Sequence, residues 1–386
     1  MHKVTLLQYR LFHYRVGLFE RMRDLAHRRG INLNVVYGQG FGTERLKRDE
    51  GELSWGRRVT NLYIPIKEKK DLCWQPVPRD LKDSDLIVLM QENRLLSNYF
   101  WMVRSHFGEQ KVAYWGHGRD FQSNAPGGWR ERWKQWLIRQ VDWWFAYTPI
   151  SVQVVVDAGF PSERVTCLNN AIDTDGLRQD KERVTAQMEA QIRHGLDLKA
   201  GAPLALFCGS LYPDKRLDLL IAAADRLHGV CPDFRLAILG DGQLASYVAQ
   251  ACSARPWANW VGAKRGVDKA AYFRLAKFVL NPGLVGLHVL DAFAVGLPML
   301  TTVEAKHSPE IAYLEDGKNG LITVGTAEAI AEAGLALIRD AHLYSAMAGC
   351  ALETGRTYTF GGMAQNFVDG IERCLAAPKA ATRAVR

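Results

Sequence analysis

No stretch of this 386-residue chain strings together the roughly 20 apolar residues that span a bilayer, and its opening Met1-His2-Lys3-Val4-Thr5-Leu6-Leu7 is too short for a secretory signal. We therefore expect a cytoplasmic protein. Its seven cysteines, Cys73, Cys167, Cys208, Cys231, Cys252, Cys350 and Cys374, are odd in number and scattered, with no Cys-x-x-Cys and no histidine at zinc spacing. That speaks against a disulfide framework or a zinc site and for reduced, buried thiols. Nothing of the form Gly-x-Gly-x-x-Gly follows the first strand pattern, so no dinucleotide site is expected there. Acidic residues run short at one end: residues 1–150 carry 25 Lys and Arg against 16 Asp and Glu, while residues 151–386 carry 24 against 25. The whole surplus of the +8 chain sits in its first part, as an anionic partner such as a membrane surface, a lipid diphosphate or a nucleic acid would favour.

What is present is an ordinary globular composition, 48% hydrophobic and 23% charged, in a chain long enough for two cores. Strand signals at 3–8, 31–37, 62–66, 85–90, 110–115, 142–147 and 164–168 alternate with helical spacing at 17–29, 95–106, 128–140 and 149–158. The alternation restarts with strands at 203–208 and 235–239, and helical patterns at 326–338, 340–355 and 360–376 close the chain. Alternating strands and helices predict α/β architecture with parallel, doubly wound sheets. We expect an N-terminal Rossmann-like domain over 1–175, a linker over 176–202, a C-terminal Rossmann-like domain over 203–358, and a last helix over 359–386 that returns to the first domain before a frayed tail.

Residues 281–300 form the most informative stretch. A short apolar strand (Phe278, Val279, Leu280) leads into Asn281-Pro282-Gly283-Leu284-Val285-Gly286-Leu287, then a helical pattern runs to Val295 and stops at Gly296-Leu297-Pro298. Strand, glycine-rich loop and helix opening is a geometry that aims free backbone N–H groups at an anion. Gly283 and Gly286 would equally serve a plain tight turn. Asp291, five residues into the pattern, lies too deep to cap the helix and suits a pair of ribose hydroxyls.

Two features of the first half carry similar alternatives. His117 stands between Gly116 and Gly118 after a strand, where doubly wound sheets place ligands; it is either a site residue or a loop histidine satisfied by its neighbours. Trp129, Trp133 and Trp136 share one stripe of the 128–140 pattern, flanked by Arg132 and Arg139 on one side and Arg130 and Lys134 on the other. Such a stripe is either core packing against the sheet or an interfacial helix on a membrane.

The 281–300 segment resembles the donor-site segment of the retaining GT-B glycosyltransferases of family GT4, Pro-Ser-x-x-Glu-Gly-Phe-Gly-x-x-x-x-Glu-Ala-x-Ala-x-Gly-x-Pro. Asp291, Ala292, Ala294, Gly296 and Pro298 match its second half. The first half departs, because the first glutamate of the family's Glu-x7-Glu pair falls on Gly283 and the second is the shorter Asp291. Other matches are Asn169-Asn170-Ala171-Ile172-Asp173, resembling the family's Asn-Gly-Val-Asp, and His307-Ser308-Pro309-Glu310-Ile311 with Asp316-Gly317-Lys318-Asn319-Gly320. In Gly209-Ser210-Leu211-Tyr212-Pro213-Asp214-Lys215-Arg216, Ser210 replaces the family's diphosphate arginine, Lys215 matches its lysine and Arg216 replaces a glycine.

The resemblance implies two doubly wound domains facing a cleft, with a nucleotide-diphosphate sugar as co-substrate, no cofactor and no obligatory metal; no Asp-x-Asp falls in a convincing metal-holding loop. It implies donor contacts from Gly209, Ser210, Lys215, Arg216, Gly262, Gly283, Gly286, Leu287, Asp291 and Glu310, the last equally able to cap the helix it opens. Lys215 would neutralise the leaving diphosphate and His117 would face the sugar. The expected activity is transfer from a UDP- or GDP-sugar to a saccharide or polyprenyl-linked acceptor in polysaccharide assembly, with Arg10 and Arg15 at the acceptor and an anionic membrane surface as a further partner; no nucleic acid is expected. A nucleotide-sugar 2-epimerase of the same fold, or a catalytically weak binding subunit, are the alternatives left open by Gly283 and Ser210.

Overall fold

A computed structural model of the chain describes residues 1–42, 44, 50–67, 70–119, 133 and 136–380. The chain divides into two compact units, Met1–Ile172 with Phe360–Arg386, and Asp173–Thr359.

The first unit is built on a seven-stranded sheet of β1 (His2–Gln8), β2 (Ile31–Tyr37), β3 (Arg57–Arg58), β6 (Leu86–Met90), β7 (Lys111–Gly116), β8 (Trp143–Ala146) and β9 (Val165–Cys167). The order is β3-β2-β1-β6-β7-β8-β9 and every pairing is parallel. Strands buried on both faces read as unbroken apolar runs, which is why Leu86-Ile87-Val88-Leu89 and Trp143-Trp144-Phe145-Ala146 show no alternation. Leu7, Val36, Ile87, Leu89, Val112, Tyr114 and Trp144 pack with Trp101, Leu137 and Ile138 from the covering helices. The strand expected at 62–66 exists but leaves the sheet: β4 (Leu62–Lys67) pairs antiparallel with β5 (Lys70–Trp74) as a separate hairpin. Pro65 lacks the N–H that an interior ladder needs, which keeps this strand out of a sheet centre. The helix Phe360–Ala376 packs on the helix Val16–Arg28 of this unit, with Phe367 stacked on Phe145 at 4.4 Å and Arg29 held between Asp369 and Glu372 at 2.5 Å each.

The second unit has a six-stranded parallel sheet of β10 (Leu204–Cys208), β11 (Arg235–Leu239), β12 (Ala258–Gly262), β13 (Phe278–Leu280), β14 (Met299–Thr302) and β15 (Gly320–Thr323), in the order β12-β11-β10-β13-β14-β15. Its core joins Phe207, Leu236, Ile238, Phe278 and Leu300 to Leu220, Leu227, Ile330 and Leu337. The stretch read as a linker carries two helices, Thr174–Glu182 and Ala186–Gly195. Asp173 and Thr185 cap them by accepting from the N–H groups of Gly176 and Met188, and Glu189 pairs with Arg274 at 2.6 Å, so the stretch is part of this unit.

Candidate functional site

In an open parallel sheet the loops after the two strands at which the order reverses part to opposite sides and leave a crevice at the strands' carboxyl ends. In the second unit that point lies between β10 and β13. The loops that follow them, 209–216 and 281–287, carry most of the residues singled out by sequence.

The two loops are laced together. Leu284 N–H donates to the Asp214 carbonyl at 2.8 Å, and the Lys215 ammonium donates to the Leu284 carbonyl at 2.5 Å. Lys215 is buried, and burial lowers its pKa to about 8, with Cys208 and Asp214 opposing the shift. Gly283 is where the backbones meet. A Cβ there would stand 2.3 Å from the Asp214 carbonyl oxygen and 2.3 Å from the Lys215 carbonyl carbon. No side chain fits, so the place of the family's first glutamate is filled by the main chain of residues 214 and 215.

Behind the loop, Asn281 donates to the Gly283 carbonyl at 3.0 Å and Thr302 to the Pro282 carbonyl at 2.7 Å. The His307 ring accepts at Nδ1 from Val285 N–H at 3.0 Å while its Nε2 lies 2.7 Å from the Thr302 carbonyl, a pair of partners that sets the neutral tautomer protonated at Nε2. Gly286 N–H donates to His288 Nδ1 at 3.4 Å. The N–H groups of Leu287 and His288 have no partner among the described residues, leaving two donors at the mouth of the loop. His288 is half-buried; burial, then the charges of Lys215 and Lys269, hold its pKa well below the usual histidine value, and its Nε2 lacks a partner among the described residues.

The helix after the loop is shorter than its pattern, His288–Ala294, so Asp291 lies in its first turn. The carboxylate is nearly buried and pairs at 2.8 Å with Lys269, from the helix Gly266–Leu275. Burial works against the Lys269 cation, yet Asp291 more than offsets it and its pKa stands above the ordinary lysine value. Sequence reasoning missed Lys269, because a lysine on a neighbouring helix leaves no trace in the spacing around Asp291. It also passed over Asn281, Thr302 and the role of His307.

The remaining predicted residues divide. Gly209 and Ser210 follow β10, with Ser210 exposed, and Glu310 is buried in the first turn of the 3₁₀ helix Pro309–Tyr313. Arg216, in left-handed conformation at φ 51°, is exposed and paired with Asp218 at 3.0 Å, which is the surface alternative to a diphosphate contact. Gly262 closes β12 at the sheet edge, away from the reversal point.

In the first unit the order reverses between β1 and β6. A cavity of about 440 Å³ opens at the ends of β6, β7 and β8, lined by Met90, Gln91, Glu92, Asn93, Trp115, Gly116, His117, Arg119 and Tyr147. The Gln91 amide brackets Gly118, accepting from its N–H at 2.8 Å and donating to its carbonyl at 3.0 Å. Gly118 sits at φ +83°, and a Cβ on Gly116 would lie 2.5 Å from that of Gln91, so both glycines are required to hold His117 between them. The His117 ring lies 4.3 Å from that of Tyr147; burial and then Arg15 lower its pKa to about 4, which keeps the imidazole neutral.

Arg10 and Arg15 are each only 5% exposed. Arg15 donates to Asn170 at 2.9 Å and stacks over Trp115 at 5.2 Å, and Arg10 lies 4.2 Å over Phe12. Both serve the interior of the unit, and neither contributes to a charged surface. Of the tryptophan stripe, Trp129 with Arg130, Arg132 and Lys134 lies outside the described residues; Trp133 is 43% exposed and stacks at 4.8 Å on Trp136, which packs against the core. No described helix is long and apolar enough to cross a membrane, and the described residues contain no group of three His, Cys, Asp or Glu placed to hold a metal.

Residues 202–340 match the family described as Glycosyl transferases group 1. A GDP-mannose-dependent alpha-(1-6)-phosphatidylinositol monomannoside mannosyltransferase of Mycolicibacterium smegmatis is 29% identical over 201 residues, covering 48% of this chain and 50% of the relative. The match thus spans about half the length of that curated protein. Among solved structures, Anabaena Alr3699/HepE in complex with UDP superposes with a TM-score of 0.68 at 16% identity, over 96% of this chain and 100% of that one. A putative UDP-N-acetylglucosamine 2-epimerase from Listeria monocytogenes gives 0.62 at 12% identity, over 96% and 95%. Both show the fold that the two units share.

Proposed function

The chain has the GT-B fold and carries a glycosyl transferases group 1 domain over residues 202–340, and from that premise we propose that it transfers a sugar, with retention of configuration and in cell-surface polysaccharide assembly, from a nucleotide-diphosphate sugar to a saccharide or lipid-linked saccharide. The observation that carries this reading is the junction of the two loops at the reversal point of the second unit. It presents a buried cation, Lys215, beside two unpartnered N–H donors of Leu287 and His288, which together suit a diphosphate.

Departure of a nucleoside diphosphate puts negative charge on the bridging oxygen as the sugar–oxygen bond lengthens. Groups aimed at that charge before the reaction begins lower the barrier, since they need not reorganise. One Lys215 proton is committed to the Leu284 carbonyl, which fixes the direction of the other two. The neutral His117, in a cavity edged by Gln91, Glu92 and Asn93, offers hydrogen bonds to a sugar without adding charge. Asp291, turned by Lys269, retains a carboxylate oxygen for a ribose hydroxyl. The mannosyltransferase relative is GDP-mannose-dependent and the Anabaena structure holds UDP, so GDP- and UDP-sugars are the donors to try first.

A donor panel with a polyprenyl-diphosphate saccharide as acceptor tests the proposal: nucleoside diphosphate should appear only when both are present, and the new linkage should keep the donor's anomeric configuration. The absence of an acid at 283 favours one second reading, a 2-epimerase. Conversion of the donor to its epimer with no acceptor present would establish that reading and sink the first.

A further inference from the structure

The cavity at the ends of β6, β7 and β8 is lined by polar side chains that the fold does not use up. Its wall at residues 91–93 is held through the main chain. Gln91 N–H donates to the Trp115 carbonyl at 3.0 Å, Glu92 N–H to the Met90 carbonyl at 2.8 Å, and the Tyr99 hydroxyl to the Asn93 carbonyl at 3.0 Å. The side chains differ in what they have left. Gln91 is spent on Gly118. Glu92 accepts from Arg94 Nε at 2.9 Å through Oε2, while its Oε1 and the Asn93 amide have no partner among the described residues. Trp115, on the same lining and 2% exposed, has an Nε1–H that likewise lacks one.

Arg94 orients Glu92 without cancelling its charge. The guanidinium also binds Glu44 at 2.7 Å and Asp71 at 3.0 Å, so three acids share it. Adding Arg10, whose Nε donates to the Tyr9 hydroxyl at 3.2 Å, the cluster still has three acids against two cations. Oε1 thus stays a strong acceptor on a backbone that does not have to reorganise to use it. A carboxylate oxygen that accepts, an amide that does either and an indole N–H that donates suit hydroxyl groups, each of which both donates and accepts. A phosphate or carboxylate brought to the same wall would meet Glu92 as a like charge. The cation of the lining, Arg119, is exposed, whereas the Glu92 side chain is only 35% exposed. Hydroxyls therefore belong at Glu92, and any charged part of a ligand belongs outward, at Arg119.

We propose that Glu92 determines which acceptor is used. Its free oxygen and the Asn93 amide hold two neighbouring hydroxyls of an uncharged terminal sugar and refuse a ring that bears a carboxylate. The inference rests on the transfer reading above and narrows it, from any saccharide to one whose terminal ring is neutral.

The test is titration of the full chain, read by saturation-transfer NMR, with the methyl glycosides of glucose, mannose and galactose, their deoxy analogues and the matching uronic acid glycosides. The parent should bind at least one neutral glycoside and bind its uronide roughly tenfold or more weakly. Glu92→Gln keeps the shape and removes the charge. It should weaken the neutral glycoside about tenfold and erase most of the discrimination against the uronide. Loss of the hydroxyl that meets Glu92 should weaken binding to the parent but add little in the variant, a coupling that general structural damage does not produce. Asn93→Ala should lose affinity for the neutral glycoside and keep the bias against the uronide. Arg94 retains Glu44 and Asp71 in both variants, so their thermal midpoints should hardly move. The proposal is overturned if the parent binds no neutral glycoside, if it binds uronides as well, or if folded Glu92→Gln changes neither affinity nor discrimination. It is equally overturned if that variant alters affinity for nucleotide sugars and not for glycosides, since the carboxylate would then read the donor. Failure of the transfer reading has a different mark: no nucleoside diphosphate is released from any donor while the preference for neutral glycosides persists.

Discussion

Replacing Gly283 tests the account of the donor loop at its tightest point. Its backbone conformation is open to any residue, so Gly283→Ala adds no torsional strain and its whole effect is spatial. The added carbon would lie 2.3 Å from the Asp214 oxygen and the Lys215 carbonyl carbon and 2.5 Å from the Lys215 Cα. All three are main-chain atoms, which cannot swing aside as a side-chain tip would. Overpacking commonly costs about 1–3 kcal/mol, and parting the loops by the required ångström also breaks the Leu284 to Asp214 and Lys215 to Leu284 hydrogen bonds. We expect about 3 kcal/mol or somewhat more. For a body the size of Asp173–Thr359, in which 1 kcal/mol moves the midpoint by about 2–4 °C, that is a fall of roughly 6–12 °C in its thermal transition. Displacement of Lys215 should also remove a charge-assisted bond of about 1.5–3 kcal/mol, weakening nucleoside diphosphate roughly tenfold to a hundredfold in calorimetry. Gly283→Glu, which restores the family's acid, should do at least as much harm. An unchanged midpoint with unchanged affinity in the alanine variant, or tighter donor binding in the glutamate variant, would refute the reasoning.

Other groups of the two sites give independent outcomes. With a free-enzyme pKa of about 8, Lys215 loses its charge as pH rises; kcat/KM for the donor should fall on the alkaline side from near that value, and Lys215→Arg, whatever its rate, should lack this limb. Asp291→Ala and Lys269→Met each strand a buried charge and should cost about 3–5 kcal/mol in denaturant unfolding, while the double variant Asp291→Leu, Lys269→Met should recover most of it but not nucleotide affinity. His117, buried and neutral with a pKa of about 4 against the ordinary 6.5 of histidine, contributes stability that is whole above pH 6.5 and lost as pH falls toward 4. The stability of the parent relative to His117→Gln should drop by about 3 kcal/mol across that window, and a difference independent of pH would mean that burial does not govern this histidine.

The parallel sheets were legible because doubly buried strands must be apolar along their length and must alternate with crossover helices. The switch-point loops were legible too, since glycine is what lets a chain turn sharply at a strand end. Lys215 was singled out only because it matches a lysine of the family that this stretch resembles. What escaped is what spacing does not encode. Lys269 reaches Asp291 from another helix, Asn281, Thr302 and His307 support the loop from behind, and the strand at 62–66 leaves the sheet for a hairpin whose antiparallel partner only the fold supplies. Helix ends were misjudged where the first residues of the 286–295 pattern are spent on the loop, which moved Asp291 from mid-helix to the first turn.

Net charge misled in a more instructive way. The surplus of basic residues over 1–150 reads as a basic face, yet several of its arginines are enclosed or paired with acids and do not stand on the surface. Arg10 and Arg15 lie over aromatic rings, Arg94 is enclosed by Glu44, Asp71 and Glu92 at 2.7, 3.0 and 2.9 Å, and Arg29 is spent on the returning helix. Guanidinium groups are suited to this, being planar, weakly hydrated and able to bond on several edges. An arginine-rich half-chain can therefore be basic by count and still owe much of that count to its own architecture.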